Sequence, residues 1–330
     1  MSSKRTIAII AGGDSSEIVI SLKTAEVVFS HLDKSLYDCY MLKVIGKEWT
    51  AEIEGKTYRV DKNDFSILTP DVRIQFDCAF IAIHGTPGED GKLQGYFDLL
   101  KIPYTTPSLL NSAVTFSKWY CTTLLKQLGI RCANSMLLRQ GMNYDESAIG
   151  KKLGFPCFVK PNNAGSSFGI SKVKEQAALA PAIQKAFGED HEVLIESAMV
   201  GREVTCGVLN YKGKVIALPI TEIVSQNEFF DFEAKYKGAS QEITPAQIDA
   251  AIAAEIQQTV IEIYHQFNMT GIIRVDFILE EAGPSVIEIN TVPGLTEGSL
   301  IPQQAIAAGI SLTELFGNSI EQAILNASNN

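Results

Sequence analysis

The chain has 330 residues, the length of two or three domains, and its 46% hydrophobic content supplies a core for each, which excludes a disordered protein. A net charge of -10, from 28 Lys+Arg against 38 Asp+Glu, argues against nucleic acid or an anionic membrane as the main partner. Six scattered cysteines without a C-x-x-C pair, no signal-peptide pattern and no apolar run of membrane-spanning length point to a cytoplasmic protein with reduced thiols.

Residues 6–11 form a β-branched run ending at Gly12-Gly13, and residues 21–32 read as a helix, together the pattern of a parallel α/β unit. The turn lacks Gly-x-Gly-x-x-Gly, so a dinucleotide reading is weak. It does place Glu17 near the C-terminal end of the strand, where open α/β sheets bind ligands. A plain helix-dipole partner is the alternative. A buried strand at 78–83 runs into His84-Gly-Thr-Pro-Gly-Glu-Asp-Gly91, whose glycines let backbone approach a ligand closely. His84 either takes part in chemistry or braces this loop.

Residues 108–128 read as a helix carrying Lys118, and 154–160 as an apolar strand ending in Lys160-Pro161. A loop of small residues including Ser166 and Ser167 follows, then a strand at 170–173. Such a loop can cover phosphates, and a buried Lys160 needs a partner; an ordinary hairpin turn is the alternative. Strands are expected at 192–196, 203–209 and 215–223. Residues 225–241 show no period and read as a binding loop or lid, with Lys235, Tyr236 and Lys237 able to close over an anionic centre. A long helix at 246–267 and a short one at 320–325 complete the chain.

The richest stretch is 272–299. Two β-branched runs around Glu-Glu-Ala-Gly-Pro read as a hairpin with a Gly-Pro turn. Alternation puts Arg274 and Asp276 on one face and Glu288 and Asn290 on one face, with Ile287 and Ile289 behind. With the turn centred on Ala282, Asp276 lies opposite Glu288 and Arg274 opposite Asn290. Two carboxylates so placed repel unless a cation lies between them. Oxygen ligands of this kind suit Mg²⁺ held together with substrate phosphates, and a solvated charged face is the alternative. Pro293-Gly294 stops the strand ahead of Leu-Thr-Glu-Gly-Ser299.

Taken together these stretches closely resemble the D-alanine–D-alanine ligases of the ATP-grasp group. The matching pieces are Gly12-Gly13-Asp-Ser-Ser-Glu17, His84-Gly-x-x-Gly-Glu-Asp-Gly91-x-x-Gln94-Gly95, Lys160-Pro161-x-x-x-Gly165-Ser166-Ser167 and Glu233-Ala-Lys-Tyr236. Arg274-x-Asp276 and Glu288-x-Asn290-Thr-x-Pro-Gly294-x-Thr-x-x-Ser299 complete the set, in the family's order over nearly the whole chain. The resemblance implies an ATP-grasp fold of mixed α/β and α+β class. It would comprise an N-terminal parallel α/β domain (1–106), a small central domain (107–196) and a C-terminal domain with the metal site (197–330, lid about 225–242).

It also implies roles. Lys118 and Lys160 match residues near the α/β-phosphates and adenine, Glu196 and Glu203 those bonding the adenine amine and the ribose, and Lys235 the lid lysine. Ser167, Phe229 and Ile287 join the ATP-binding set. Asp276, Glu288 and Asn290 match the ligands of two Mg²⁺ or Mn²⁺ ions, and K⁺ is a further candidate cation. Glu17 matches the carboxylate holding the first D-alanine's ammonium, linked through Ser166 and Tyr236. Arg274 and the Gly294 amide match the oxyanion stabilisers, Ser299 and Leu300 contacts to the second carboxylate, and His84 a group orienting or deprotonating the incoming amine. The implied activity joins two D-alanines through an acyl phosphate for peptidoglycan synthesis, in a homodimer.

Four departures stand out: Val19 replaces a second Glu, Ser197 a common Lys, and Phe230 and Phe232 frequent tyrosines. Tyr236 favours the dipeptide over D-alanyl-D-lactate. A D-lactate or D-serine ligase, another ATP-grasp amino-acid ligase, and a nucleotide-binding protein without catalysis are the alternatives.

Overall fold

The computed structural model describes residues 4–163, 169–225 and 240–328. The N-terminal part is built on a seven-stranded sheet. Strand β1 (Arg5–Gly12) is followed by helix α1 (Ile18–His31), then by β2 (Tyr37–Ile45), β3 (Glu48–Ile53), β4 (Lys56–Asp61), β5 (Ser66–Leu68), β6 (Arg73–Ile74) and β7 (Cys78–Ile81). Only β2, β1 and β7 run parallel; β3 to β6 extend the β2 edge as an antiparallel meander. Ile7, Ile9 and Ile10 on β1 are completely buried, as a central strand covered on both faces requires. Helices α2 (Lys92–Leu100), α3 (Leu109–Phe116) and α4 (Lys118–Gln127) lead out of this layer.

The central part is a four-stranded antiparallel sheet of β8 (Ser135–Arg139), β9 (Cys157–Pro161), β10 (Ser171–Val173) and β11 (Glu192–Ser197). It packs its apolar face on α5 (Glu146–Leu153) and α6 (Leu179–Phe187). The third sheet contains β12 (Arg202–Tyr211), β13 (Lys214–Ala217), β14 (Thr221–Ser225) and β15 (Ser240–Ile243), with the hairpin β16 (Ile272–Glu280) and β17 (Gly283–Asn290). Helix α7 (Ala250–Gln266) covers it, and α8 (Leu300–Ala307) and α9 (Leu312–Ser328) close the chain. Among the described residues no helix is long and apolar enough to cross a membrane.

Several elements differ from the sequence reading. The helix expected over 108–128 is two, broken at an extended Ser117 (ψ 105°). The backbone N–H of Lys118 donates to the Asn162 carbonyl (3.1 Å) and that of Trp119 to Asn162 Oδ1 (2.8 Å). Asn162 therefore satisfies the orphan donors of a new helix start. The strand expected at 215–223 is split into β13 and β14, with residues 218–220 crossing between them. The last helix is 17 residues long; its buried stripe of Leu312, Leu315, Phe316, Ser319, Ile320 and Ala323 is interrupted in sequence by Gly317-Asn318. That helix packs on the first sheet, where the Phe316 and Phe80 rings meet edge-on at 6.0 Å. The lid stretch and the loop with Ser166 and Ser167 fall on residues outside those described, apart from the flanks of β14 and β15.

Candidate active site

The hairpin register is the one expected at its functional end: Arg274 pairs with Asn290 and Asp276 with Glu288. Its turn is not Gly-Pro, however. Glu280 pairs with Gly283, so Glu281-Ala282 makes the turn and Pro284 lies inside β17. β17 is an edge strand, where a missing N–H costs no ladder bond. A register shift then reconciles the two ends, because Phe277 faces Val286 while Asp276 faces Glu288. Ile287 is the extra residue of a β-bulge, and it lines the cleft beside Glu288 instead of lying behind it.

Asp276 is held from three sides. Arg274 donates Nε to Oδ1 and Nη2 to Oδ2, both at 2.8 Å, in a bidentate fork. Asn290 Nδ2 donates to Oδ2 (3.0 Å), and the buried Thr205 hydroxyl on β12 donates to Oδ1 (2.6 Å). Glu288 Oε2 meets Lys118 Nζ at 3.4 Å across the cleft.

On the central sheet Lys160 pairs with Leu194 while Glu196 pairs with Phe158, which puts the two charged side chains in diagonal contact on one face. They form an ion pair of 2.5 Å, and both are buried. Asn162, fully buried, also donates to Ser117 Oγ (2.9 Å) and Glu192 Oε2 (2.8 Å), so one side chain fixes the start of α4, with Lys118, against the end of β9, with Lys160. Ser197 accepts a hydrogen bond from the Asn134 N–H (3.1 Å), a local brace at the position where the family commonly has Lys.

The N-terminal part contributes the third wall. Gly13 N–H donates to the Val44 carbonyl (2.7 Å), and Ser21 Oγ accepts from Gly12 N–H and donates to the Ala82 carbonyl, both at 2.8 Å. These bonds set the β1–α1 turn so that Glu17, at the N-cap of α1, is buried in the cleft wall. His84 Nδ1 lies 2.8 Å from the Val292 carbonyl and must donate there, so Nε2 accepts from Thr24 Oγ1 (3.2 Å). Burial pushes the His84 pKa down, against the pull of Glu17. Both ring nitrogens are thus engaged by the protein. Glu89 accepts from Gly85 N–H (2.7 Å) and Val292 N–H (3.2 Å). Loss of water and the nearby Glu17 charge push its carboxyl up to about 7.

Beyond β17, Ser299 and Thr296 hydroxyls bond at 2.7 Å, and a Cβ on Gly294 would come within 2.8 Å of Ser299 Oγ. One cavity of about 900 Å³ unites these walls: Glu17, His84, Lys118, Lys160, Glu196, Glu203, Arg274, Asp276, Ile287, Glu288, Asn290, Gly294, Ser299 and Leu300 all border it. Ser166, Ser167, Phe229, Lys235 and Tyr236 lie outside the described residues. The sequence reading missed Lys23, Glu89, Glu222 and Glu242, which also border the cavity. Glu89 sits inside the His84 motif, which could have flagged it, whereas Lys23 lies six positions after Glu17, about 120° round the helix, where spacing gives no signal. Glu222 is gripped by Arg202 (2.6 and 2.5 Å), a pairing across strands that no local pattern reveals.

Lysines on the central sheet and α4 thus face a carboxylate hairpin across a cleft whose third wall is the N-terminal sheet. Family models for the D-ala D-ala ligase N-terminus and C-terminus match residues 6–107 and 124–321. The D-alanine--D-alanine ligase of Flavobacterium johnsoniae is 49% identical over 97% of this chain and 99% of its own length, and that of Bacteroides fragilis 46% over 96% and 99%. Among solved structures, the VanG D-Ala:D-Ser ligase of Enterococcus faecalis superposes with a TM-score of 0.85 at 31% identity, covering 97% of this chain and 100% of that one. The D-alanine--D-alanine ligase of Bacillus anthracis complexed with ATP gives 0.79 at 29%, covering 98% and 99%. The chain belongs to the D-alanine–D-alanine ligase family.

Proposed function

We propose that this ATP-dependent ligase joins two D-alanines into D-alanyl-D-alanine for peptidoglycan precursors. The observation that carries the reading is the meeting, in one cavity, of the Asp276–Glu288 pair, Lys118 and Lys160 with Glu17 and the Gly294–Ser299 turn. The first D-alanine's carboxylate attacks the γ-phosphorus of ATP and ADP leaves, giving an acyl phosphate. The second D-alanine's amine then attacks that carbonyl, loses its proton, and phosphate departs. Glu17 holds the first ammonium, and Ser299 with Leu300 the second carboxylate. Arg274 and the Gly294 N–H face the tetrahedral oxyanion, a type of donor worth ~2.7–4 kcal/mol of barrier. Arg274 spends two of its five N–H groups on Asp276, which fixes the plane of the guanidinium.

Asp276, Glu288 and Asn290 would hold two Mg²⁺ or Mn²⁺ ions. Three oxygen-bearing side chains, two of them carboxylates at opposed strand positions, fit a hard divalent cation. Bound there, the ions would offset charge on the transferring phosphoryl group. Lys235 and Tyr236 keep the roles carried over from the family. His84, with both nitrogens engaged, is better suited to bracing than to proton transfer. A cytoplasmic homodimer, with K⁺ as an added cation, completes the proposal.

The test is ATP, Mg²⁺ and D-alanine, with phosphate release followed and the product identified by mass; D-lactate, D-serine and L-alanine run in parallel. About one phosphate per dipeptide is the stoichiometry expected of one acyl phosphate per bond. Phosphate release with D-serine or D-lactate in preference to D-alanine would move the acceptor assignment. Bound ATP with no turnover would favour a non-catalytic protein. Gel filtration with light scattering checks the dimer, and rates with and without KCl the cation.

A further inference from the structure

Helix α8 begins at Ser299 and Leu300 and carries Gln304 one turn further on, wholly buried. A buried amide is costly unless its bonds are met. Here Gln304 Nε2 donates to the Thr205 carbonyl (3.1 Å) and to Thr221 Oγ1 (3.0 Å), while Oε1 accepts from Gly207 N–H (2.9 Å). Those partners lie in a gap of the third sheet, where β14 pairs with β12 up to Thr205 and β13 pairs from Val208 onward. One carbonyl and the N–H two residues later are what a residue of a neighbouring parallel strand would engage. The Gln304 side chain fills that place.

The opposite edge of the same β12 segment is paired with the reacting hairpin. Thr205 lies opposite Asp276 and Gly207 opposite Arg274. The approach is close: a Cβ on Gly207 would stand 2.5 Å from Ile301 Cδ1 and 2.8 Å from Gln304 Oε1. A leucine or methionine could fill the volume at 304 but could make none of the three bonds.

We propose that Gln304 is a positioning residue for the second amino acid: it registers α8 on β12, and so fixes the span from Ser299 and Leu300 to Arg274 and Asp276. This rests on the proposed ligase reaction and adds to it the residue that sets acceptor affinity. Shifting α8 moves the groups that hold the acceptor's carboxylate and leaves Lys118, Lys160 and Glu17 in place.

The test compares wild type with Q304M, and with T221V, which removes one acceptor and keeps the amide. KM values for ATP, donor and acceptor D-alanine are resolved from initial rates, with hydrogen exchange followed over residues 205–209. In Q304M the acceptor KM is expected to rise about tenfold or more, since loss of a buried bond pattern of this size is worth a factor of ten. The KM values for ATP and donor should stay within about twofold, and Gly207 N–H exchange should quicken. T221V, which keeps two of the bonds, should show a smaller rise of the same selectivity, and it decides the matter if Q304M does not fold. Equal changes in all three KM values, or none, would overturn the inference. A wild type that makes no dipeptide would instead sink the ligase reading.

Discussion

Replacing Lys160 by methionine isolates one charge of the cleft. Lys160 Nζ and Glu196 Oε2 are 2.5 Å apart, with side chains 8% and 7% exposed. Removing one member of such a pair leaves a buried charge uncompensated, at a cost of about 3–5 kcal/mol. Removing both and filling the volume with apolar groups is close to neutral, because the desolvation of both ions disappears with their attraction. K160M should therefore lose about 3–5 kcal/mol in urea unfolding, and K160M/E196M should recover most of it. Nucleotide binding should behave differently. If Lys160 contacts phosphate as proposed, both variants lose ATP affinity, and the recovered stability does not bring it back. Isothermal calorimetry with ATP and Mg²⁺ reads that arm. A double variant no more stable than K160M would refute the pairing argument, and wild-type ATP affinity in either variant would refute the role of Lys160.

Glu89 gives a pH prediction. Its carboxyl is raised from 4.5 to about 7, so the folded protein holds this proton more tightly than the unfolded chain. The stability it contributes is present in full below about pH 4.5 and is lost as pH climbs through about 7, a change of about 3 kcal/mol. The difference in unfolding free energy between wild type and E89Q, measured across that window, should follow this slope; a flat difference would contradict it. Gly294→Ala places a Cβ 2.8 Å from Ser299 Oγ. Overpacking of that kind costs ~1–3 kcal/mol, so the acceptor KM should rise about tenfold with the ATP KM unchanged; equal rises would point to general damage. Lys118 and Glu288 are paired at 3.4 Å, and Glu288 is a proposed metal ligand. Phosphate arriving alone would take Lys118 and leave Glu288 facing an anion, so ATP should bind at least about tenfold more weakly without Mg²⁺. That gap should shrink in E288Q, and an unchanged gap would remove Glu288 from the metal site.

How much of this was legible in the sequence follows from where each constraint resides. Strand alternation is local, and it placed Asp276 against Glu288 and Arg274 against Asn290 across a hairpin whose turn was misread. The reading survived because the bulge at Ile287 restores, at the cleft end, the register that a turn at Glu281-Ala282 would have shifted. Chemistry-bearing side chains are likewise visible as motifs, since function demands particular residue types. The residues that hold them are not visible. Asn162 fixes the two lysine-bearing elements, and Thr205 and Gln304 hold the hairpin and α8. Apart from Asn162, each bond crosses 71 or more positions of sequence, and its donor is an ordinary amide or hydroxyl with no pattern around it. Such residues answer to the geometry of their own fold, because a buried polar group must be matched by whatever backbone happens to lie opposite. The reacting groups can therefore be carried from one relative to another by motif. The registration between them must be read from each structure, and that is where acceptor specificity can diverge while the motifs stay the same.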